Sequence, residues 1–257
     1  MGFDEKFLPE RFTDPNLSRE WILADRKREI YAIREDRKKL ADFIVDIIAL
    51  ANMSYRHGEV ARLLFGINND RTLVTYDDGT PRGVKGQSTK NSYLQDVDYN
   101  DPNKVDQLFQ YILNDFRSAV HQYIKPSGAK GDLKMELDIK TGWIDGYLLA
   151  YLEIMAQTAN PEPYSVNREI RYTDSKRKPF IPFPGDAWYR EHEHNEKMTP
   201  ELFRVWYSVN DCPVITGAKW KAYFEDLSSG EFRKAQDLPG YQEPKDIDGI
   251  FLYDRVQ

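Results

Sequence analysis

The clearest periodic signal along the chain is the recurrence of Leu40, Phe43, Ile44, Ile47, Ile48 and Ala51 at steps of three and four. That step lines apolar side chains along one face of a helix, so it predicts an amphipathic helix from about Asp36 to Ala51, packed on a sheet. Asn52 follows the apolar run and tolerates left-handed backbone, which suits a helix C-terminus, and Gly58 falls in the loop after it. "VARLLFGI" is short, apolar and rich in β-forming residues, hence a buried strand; "RTLVTY" with the turn "DDGTPRG" completes a hairpin. Val105, Leu108, Phe109, Ile112, Leu113, Phe116 and Val120 repeat the helical step over about 102–123. Pro102 stands in the first turn of this second helix, where its missing N–H costs nothing.

"DGYLLAYLEIMAQ" is apolar enough for a central strand, and "PYSVNREIRYT" alternates like its edge partner. "KPFIPFPGDAWYRE" reads as a proline-rich loop entering a short strand, and the polar "EHEHNEKMTPE" ends in a helix start at Thr199. Residues from about 85 to 103 are rich in Asn, Asp, Ser and Tyr and form a loop or an insertion. "NLSREWILADRKREIYAI" fits either a strand followed by a helix or one continuous helix, and the pattern leaves both open. The expected class is α+β, a mixed sheet with amphipathic helices packed on it. Its boundaries fall at an N-terminal arm over 1–19, a main domain over 20–210 and a C-terminal extension over 211–257.

At 257 residues and 40 % hydrophobic, the chain can bury a substantial core. No apolar run reaches the roughly 18 residues of a membrane span, and "MGFDEKFLPERF" carries charges where a signal peptide would be apolar. The expectation is a soluble cytoplasmic protein with no membrane partner. Cys212 is the single cysteine, which excludes an intrachain disulfide and a thiolate zinc cluster. A net charge of −6 weighs against a surface that grips phosphates everywhere, though not against a local patch. Arg26, Lys27, Arg28, Arg34, Arg37, Lys38 and Lys39 form one basic run and Lys176, Arg177 and Lys178 another. Acids interspersed in the first run make it equally a solvated face laced with ion pairs.

The order of segments carries a resemblance. A helix ending "IIALAN", a strand "LLFGIN", a turn with Gly79 and Gly83, a helix running to Pro126, a strand "LAYLEI" followed by "PEPYSV", and then "PGDAWYRE" together resemble the Schlafen-type AlbA-like domain. The likeness covers about 20–206. It implies a two-lobed α+β nucleic-acid-binding module, RNA rather than DNA, some of whose relatives are metal-dependent endoribonucleases acting on structured RNA such as tRNA. The family's Gly-Gly after the Asn is replaced here by "MSYRHGEV", leaving Gly58 alone.

In the catalytic members a strand carries Glu, four residues, Glu, one residue, Lys, with an Asp beyond the following strand. "EWILADRK" places Glu20, Asp25 and Lys27 at that spacing, and the third acid falls on Asn69 or, one place later, on Asp70. The resemblance therefore implies Glu20, Asp25 and Asp70 as ligands of Mg²⁺ or Mn²⁺, with Lys27 orienting a phosphate. Hard carboxylate oxygens suit those ions, and the ion stabilises charge on a transferring phosphoryl group. An exposed pair on an amphipathic segment is the competing reading of Glu20 and Asp25. Nucleic-acid contacts are expected from Arg26, Arg56, His57, Lys85, Lys176, Arg177, Lys178 and Arg190, with Tyr55 and Tyr189 as stacking candidates. Arg190 has two readings, a phosphate contact or an ion pair closing the acidic strand end. His192 and His194 could face one way as metal ligands, but a polar loop explains them as well. The alternative to a nucleic-acid enzyme is a non-catalytic interaction or nucleotide-binding module of a larger, defence-related assembly, and the C-terminal extension is expected to serve a protein partner or self-association.

Overall fold

The computed structural model describes residues 7–17, 21–86, 91–126, 135–156, 163–172, 182–199 and 202. Strand β1 (Ala24–Lys27) runs parallel to β2 (Ala61–Phe65), and helix α2 (Arg37–His57) crosses between them. The pair β4 (Met135–Ile144) and β5 (Tyr147–Ala156) completes a mixed sheet in the order β1-β2-β5-β4, with β5 antiparallel to both neighbours. Helix α3 (Pro102–Tyr123) runs directly into β3 (Ile124–Pro126), which pairs with β6 (Tyr164–Val166). A hairpin of β7 (Trp188–Glu191) and β8 (His194–Lys197) follows. The protein is thus α+β with a mixed sheet. No helix of the described residues is long and apolar enough to cross a membrane.

Alternation along β2 and β5 divides the core into two layers, because successive strand side chains point to opposite faces. Leu63, Phe65, Ala150, Leu152 and Ile154 pack under α2 and α3. Leu64, Leu149 and Tyr151 face the other way and meet Phe7 and Phe12, the latter on the short helix α1 (Glu10–Thr13). Phe7 lies where a side chain at Gly142 would project, so residue 142 of β4 must stay small for the N-terminal segment to dock. Gly83 is the other close approach: its φ of +65° and the Leu148 backbone against its Cα leave room for no side chain.

Helix α2 starts as expected. The Asp36 carboxylate accepts from the Lys38 and Lys39 N–H groups as an N-cap. It does not end at Asn52, however; it continues to His57 and is capped by Gly58 in the left-handed region at φ 66°. Nor is it a simple two-faced helix. From Phe43 to Ser54 every residue is buried, because β2 and β5 cover one side while β6, β7 and α3 cover the others. Asn52 is clamped in that packing: its Oδ1 accepts from the Tyr164 N–H, and its Nδ2 donates to the Tyr164 and Trp188 carbonyls.

Other expectations need correction. The hairpin expected beyond β2 is a chain of tight turns with isolated bridges at Ile67–Leu73 and Thr75–Pro81. Positive φ at Arg71 and Gly79 turns the backbone too sharply for a continuous ladder. The partner of β5 is β4, a strand not anticipated, whereas "PYSV" pairs with β3. The second helix has the bounds its periodicity predicts, with the Asp101 side chain capping it.

Candidate functional site

Strand β1 brings Asp25 and Lys27 to the edge of the sheet, where α2 and the β7–β8 hairpin close over them. Lys27 Nζ lies 3.0 Å from Asp25 Oδ2 and 2.9 Å from Oδ2 of Asp46, which is on α2. Asp46 also accepts from the Tyr31 hydroxyl through Oδ2 and from the Asn195 amide through Oδ1. Asn195 Oδ1 in turn accepts from Arg190 Nη1 at 3.0 Å, and that guanidinium lies 3.1 Å from Asp25 Oδ2. The contacts therefore close into a ring: Asp25, Lys27, Asp46, Asn195, Arg190 and back to Asp25. Two carboxylates face two cations, so the ring is formally neutral, which is what permits such burial. Lys27 opens it to solvent, its side chain being 29 % exposed.

Burial by itself lowers the pKa of Lys27. The facing charges of Asp46 and Asp25 overcome that and hold its pKa well above the ordinary lysine value. The Tyr31 hydroxyl is pushed up by burial and by the same two carboxylates, so it remains a donor to Asp46.

Above the ring lies a cavity of about 300 Å³ whose lining includes Lys27, Tyr31, Lys39, Asp42, Val45, Asp46 and Asn195. Asp42, one helical turn before Asp46 on α2, is half-buried there and makes no hydrogen bond or ion pair among the described residues. Burial raises its carboxyl pKa, and so does the Asp46 charge; Lys39, Lys38 and Lys27 pull the other way without cancelling. A carboxyl raised on folding supports the native state below its unfolded pKa and loses that support as pH rises through its folded pKa. Asp42→Asn is therefore expected to melt higher than wild type at neutral pH, with the gain fading in acid, where both side chains are uncharged. Thermal denaturation across pH reads this directly; a variant less stable at neutral pH would contradict the geometry.

The sequence-predicted residues distribute unevenly. Glu20, Lys176, Arg177 and Lys178 lie outside the described residues. Asp25 and Lys27 come together as their spacing on one strand requires. Asp70 is elsewhere, fully exposed on a tight turn where it accepts from the Thr72 N–H at 3.0 Å and hydroxyl at 2.6 Å, which lower its pKa. Among the described residues no three His, Cys, Asp or Glu side chains are grouped to hold a metal ion. Asp25 is paired with Lys27 and Arg190, and Asp70 is held on its own turn by Thr72. Of the two readings of Arg190 the geometry realises the ion pair: the side chain is 1 % exposed and turned inward.

Arg26 is buried on β1, and Arg56 and His57 occupy the last turn of α2 rather than a loop. Lys85 donates to the Gly146 carbonyl at 2.9 Å over the Trp143 ring, and partial burial lowers its pKa. His192 sits at the β7–β8 turn with φ 54°, and both it and His194 are exposed. Tyr31, Asp42, Asp46 and Asn195 belong to the site although no motif in the sequence points to them, and Lys39 joins it from the basic run. Asp46 had a signal: a lone acid inside "FIVDIIALAN" must be buried with partners, because an unpaired carboxylate there is too costly. Comparison of the chain with protein-family models, with curated proteins and with solved structures finds no match.

Proposed function

We propose that the chain is a Schlafen-like, AlbA-like nucleic-acid-binding protein with a two-lobed core, and that it takes RNA in preference to DNA at the cavity above the ion ring. One observation carries this reading. The parallel β1–α2–β2 unit sets Lys27 in the cavity floor and Lys39 at its rim, next to Arg37 and Lys38 in the first turn of α2. The cationic side chains of that first turn, with Lys39 on the cavity, give an otherwise acidic protein a local place for phosphate. The segment order noted in the sequence supports the same assignment.

Fluorescence anisotropy of the full chain with a labelled single-stranded RNA tests it. If about three phosphates are engaged, affinity should fall roughly tenfold to twentyfold between low and near-physiological salt, following the single-strand counterion slope. Lys39→Ala should flatten that slope. Absent binding, or binding indifferent to salt, would remove the nucleic-acid reading in favour of a protein-binding module in a larger assembly.

A second reading, a Mg²⁺- or Mn²⁺-dependent endoribonuclease, is favoured by the convergence of Asp25 and Asp46 on one point, now filled by the Lys27 ammonium. Its expected signature is tRNA cleavage in Mn²⁺ that Asp25→Ala removes. No cleavage with any divalent ion would leave a binding protein without catalysis.

A further inference from the structure

The ring is neutral and internally satisfied, so the groups of the cavity with unused bonding capacity are Asp42 and Lys39. Asp42 offers carboxylate oxygens with no partner among the described residues, half-buried at the wall of the cavity where a ligand can take the place of water. Such a group is complementary to a ligand bearing paired N–H donors. Its neighbours exclude most candidates. A cationic side chain of a peptide would be opposed there by Lys39, Lys38 and Lys27, whose charges already act on Asp42, whereas a phosphate-bearing ligand is drawn to Lys39 on the lining. The occupant that satisfies both ends carries an anion and, a short distance away, a neutral pair of N–H groups.

Among the RNA bases only guanine presents two adjacent donors on its Watson–Crick edge, N1–H and the N2 amino group. Adenine and cytosine set an acceptor beside their amino group, and uracil flanks one N–H with two carbonyls. Against a carboxylate, each of those edges turns a lone pair toward a lone pair. A cavity of about 300 Å³ is at the lower end of ligand-site volumes and is suited to one unstacked base.

We propose that this cavity receives a single guanine of a bound RNA strand, the Asp42 carboxylate accepting from N1–H and the N2 amino group while Lys39 pairs with the adjoining phosphate. The inference rests on the RNA-binding reading above and gives it a base preference. Two carboxylate hydrogen bonds made only to guanine amount to a specificity device, because a polar group built to bond one partner rejects analogues that leave it unpaired.

The test compares short uridine oligonucleotides carrying one central guanine, inosine, adenine or uridine, with wild type and Asp42→Asn, by anisotropy. Wild type binds the guanine oligomer about tenfold or more tightly than the all-uridine one, with inosine, which lacks the N2 amino group, in between. Asp42→Asn loses that preference, because the new amide turns an N–H toward the guanine donors or offers them one acceptor in place of two. Lys39→Ala weakens every oligomer and leaves the preference intact. RNA binding without guanine preference, or a preference that survives Asp42→Asn, overturns the inference and leaves the RNA-binding reading standing. Guanosine monophosphate is titrated in parallel by calorimetry. If it binds in an Asp42-dependent way while no oligonucleotide binds, the pocket stands as a nucleotide site and the RNA reading falls. If neither binds, both fall.

Discussion

Arg190→Met is expected to lower the free energy of unfolding by about 3–5 kcal/mol, the usual cost of removing one member of a buried ion pair. The guanidinium does more than neutralise a charge. Besides Asp25 and Asn195, it donates through Nε to the Trp21 carbonyl at 3.0 Å and through Nη2 to the Glu193 carbonyl at 3.1 Å. Methionine fills similar volume but leaves Asp25 with Lys27 as its remaining ring cation and two carbonyls without that donor. Arg190→Lys should recover part of the loss, since an ammonium can answer Asp25 but cannot span carbonyls on opposite sides of a planar fork.

The double variant Arg190→Met, Asp25→Leu isolates the electrostatic share. Removing both charges abolishes the stranded carboxylate, so the double variant should be more stable than Arg190→Met alone. Urea denaturation measures all three. An Arg190→Met protein within about 1 kcal/mol of wild type would mean that the ring does not hold the hairpin to the sheet. The consequence reaches the site, because Asn195 lines the cavity from β8 and is held there by Arg190 on one side and Asp46 on the other.

Elements whose signals are local are the ones the sequence discloses. Helix α3 has an Asp cap, a proline in its first turn and an unbroken apolar step, and its observed bounds match its pattern. Strand β2 and the central position of β5 follow from apolar runs of strand length. Strand β4 has an equally local signal, since "MELDIKTGWI" alternates almost without fault, but Lys140 and Gly142 make it look like a polar connection. Lys140 is nonetheless buried and paired with Asp138, and Gly142 is small because Phe7 packs on it, a contact no sequence window contains.

The site divides along the same line. Asp25 and Lys27 are legible together because two residues apart on a strand means one face. Asp46 and Arg190 are not legible as their partners, since α2 and β7 reach them only through the fold. Asp70 shows the converse error. Its distance from the strand end fits the expected pattern, yet Thr72 two residues later captures its carboxylate in a local turn.

Asn52 makes the sharpest case, and Asn52→Leu is expected to cost about 3–9 kcal/mol because it strands three buried backbone groups at roughly 1–3 kcal/mol each. At the end of "IIALAN" an asparagine looks like a stop, since its intrinsic preferences favour caps and turns over helix interiors. In the fold it is fully buried mid-helix, and its amide joins two strands to α2: 2.6 Å from the Tyr164 nitrogen, 3.1 Å from the Tyr164 oxygen and 2.8 Å from the Trp188 oxygen. The Asn167 N–H bonds the Tyr123 carbonyl, which makes Pro126 and Tyr164 a non-hydrogen-bonded pair of β3–β6; the Tyr164 N–H and carbonyl therefore face away from β3 and find their partner in Asn52. Trp188 begins β7, two residues before Arg190, so the same amide sets where that strand lies when Arg190 reaches for Asp25. Leucine keeps the branched shape but is bulkier and offers neither donor nor acceptor. Asn52→Asp would keep the acceptor for the Tyr164 N–H while turning a charge on both carbonyls, and should be at least as damaging as leucine. Chemical denaturation gives the magnitude, and hydrogen exchange gives the location: protection should fall first at Tyr164 and along β7. A variant that keeps both its stability and that protection would show that the strands are held by apolar packing alone.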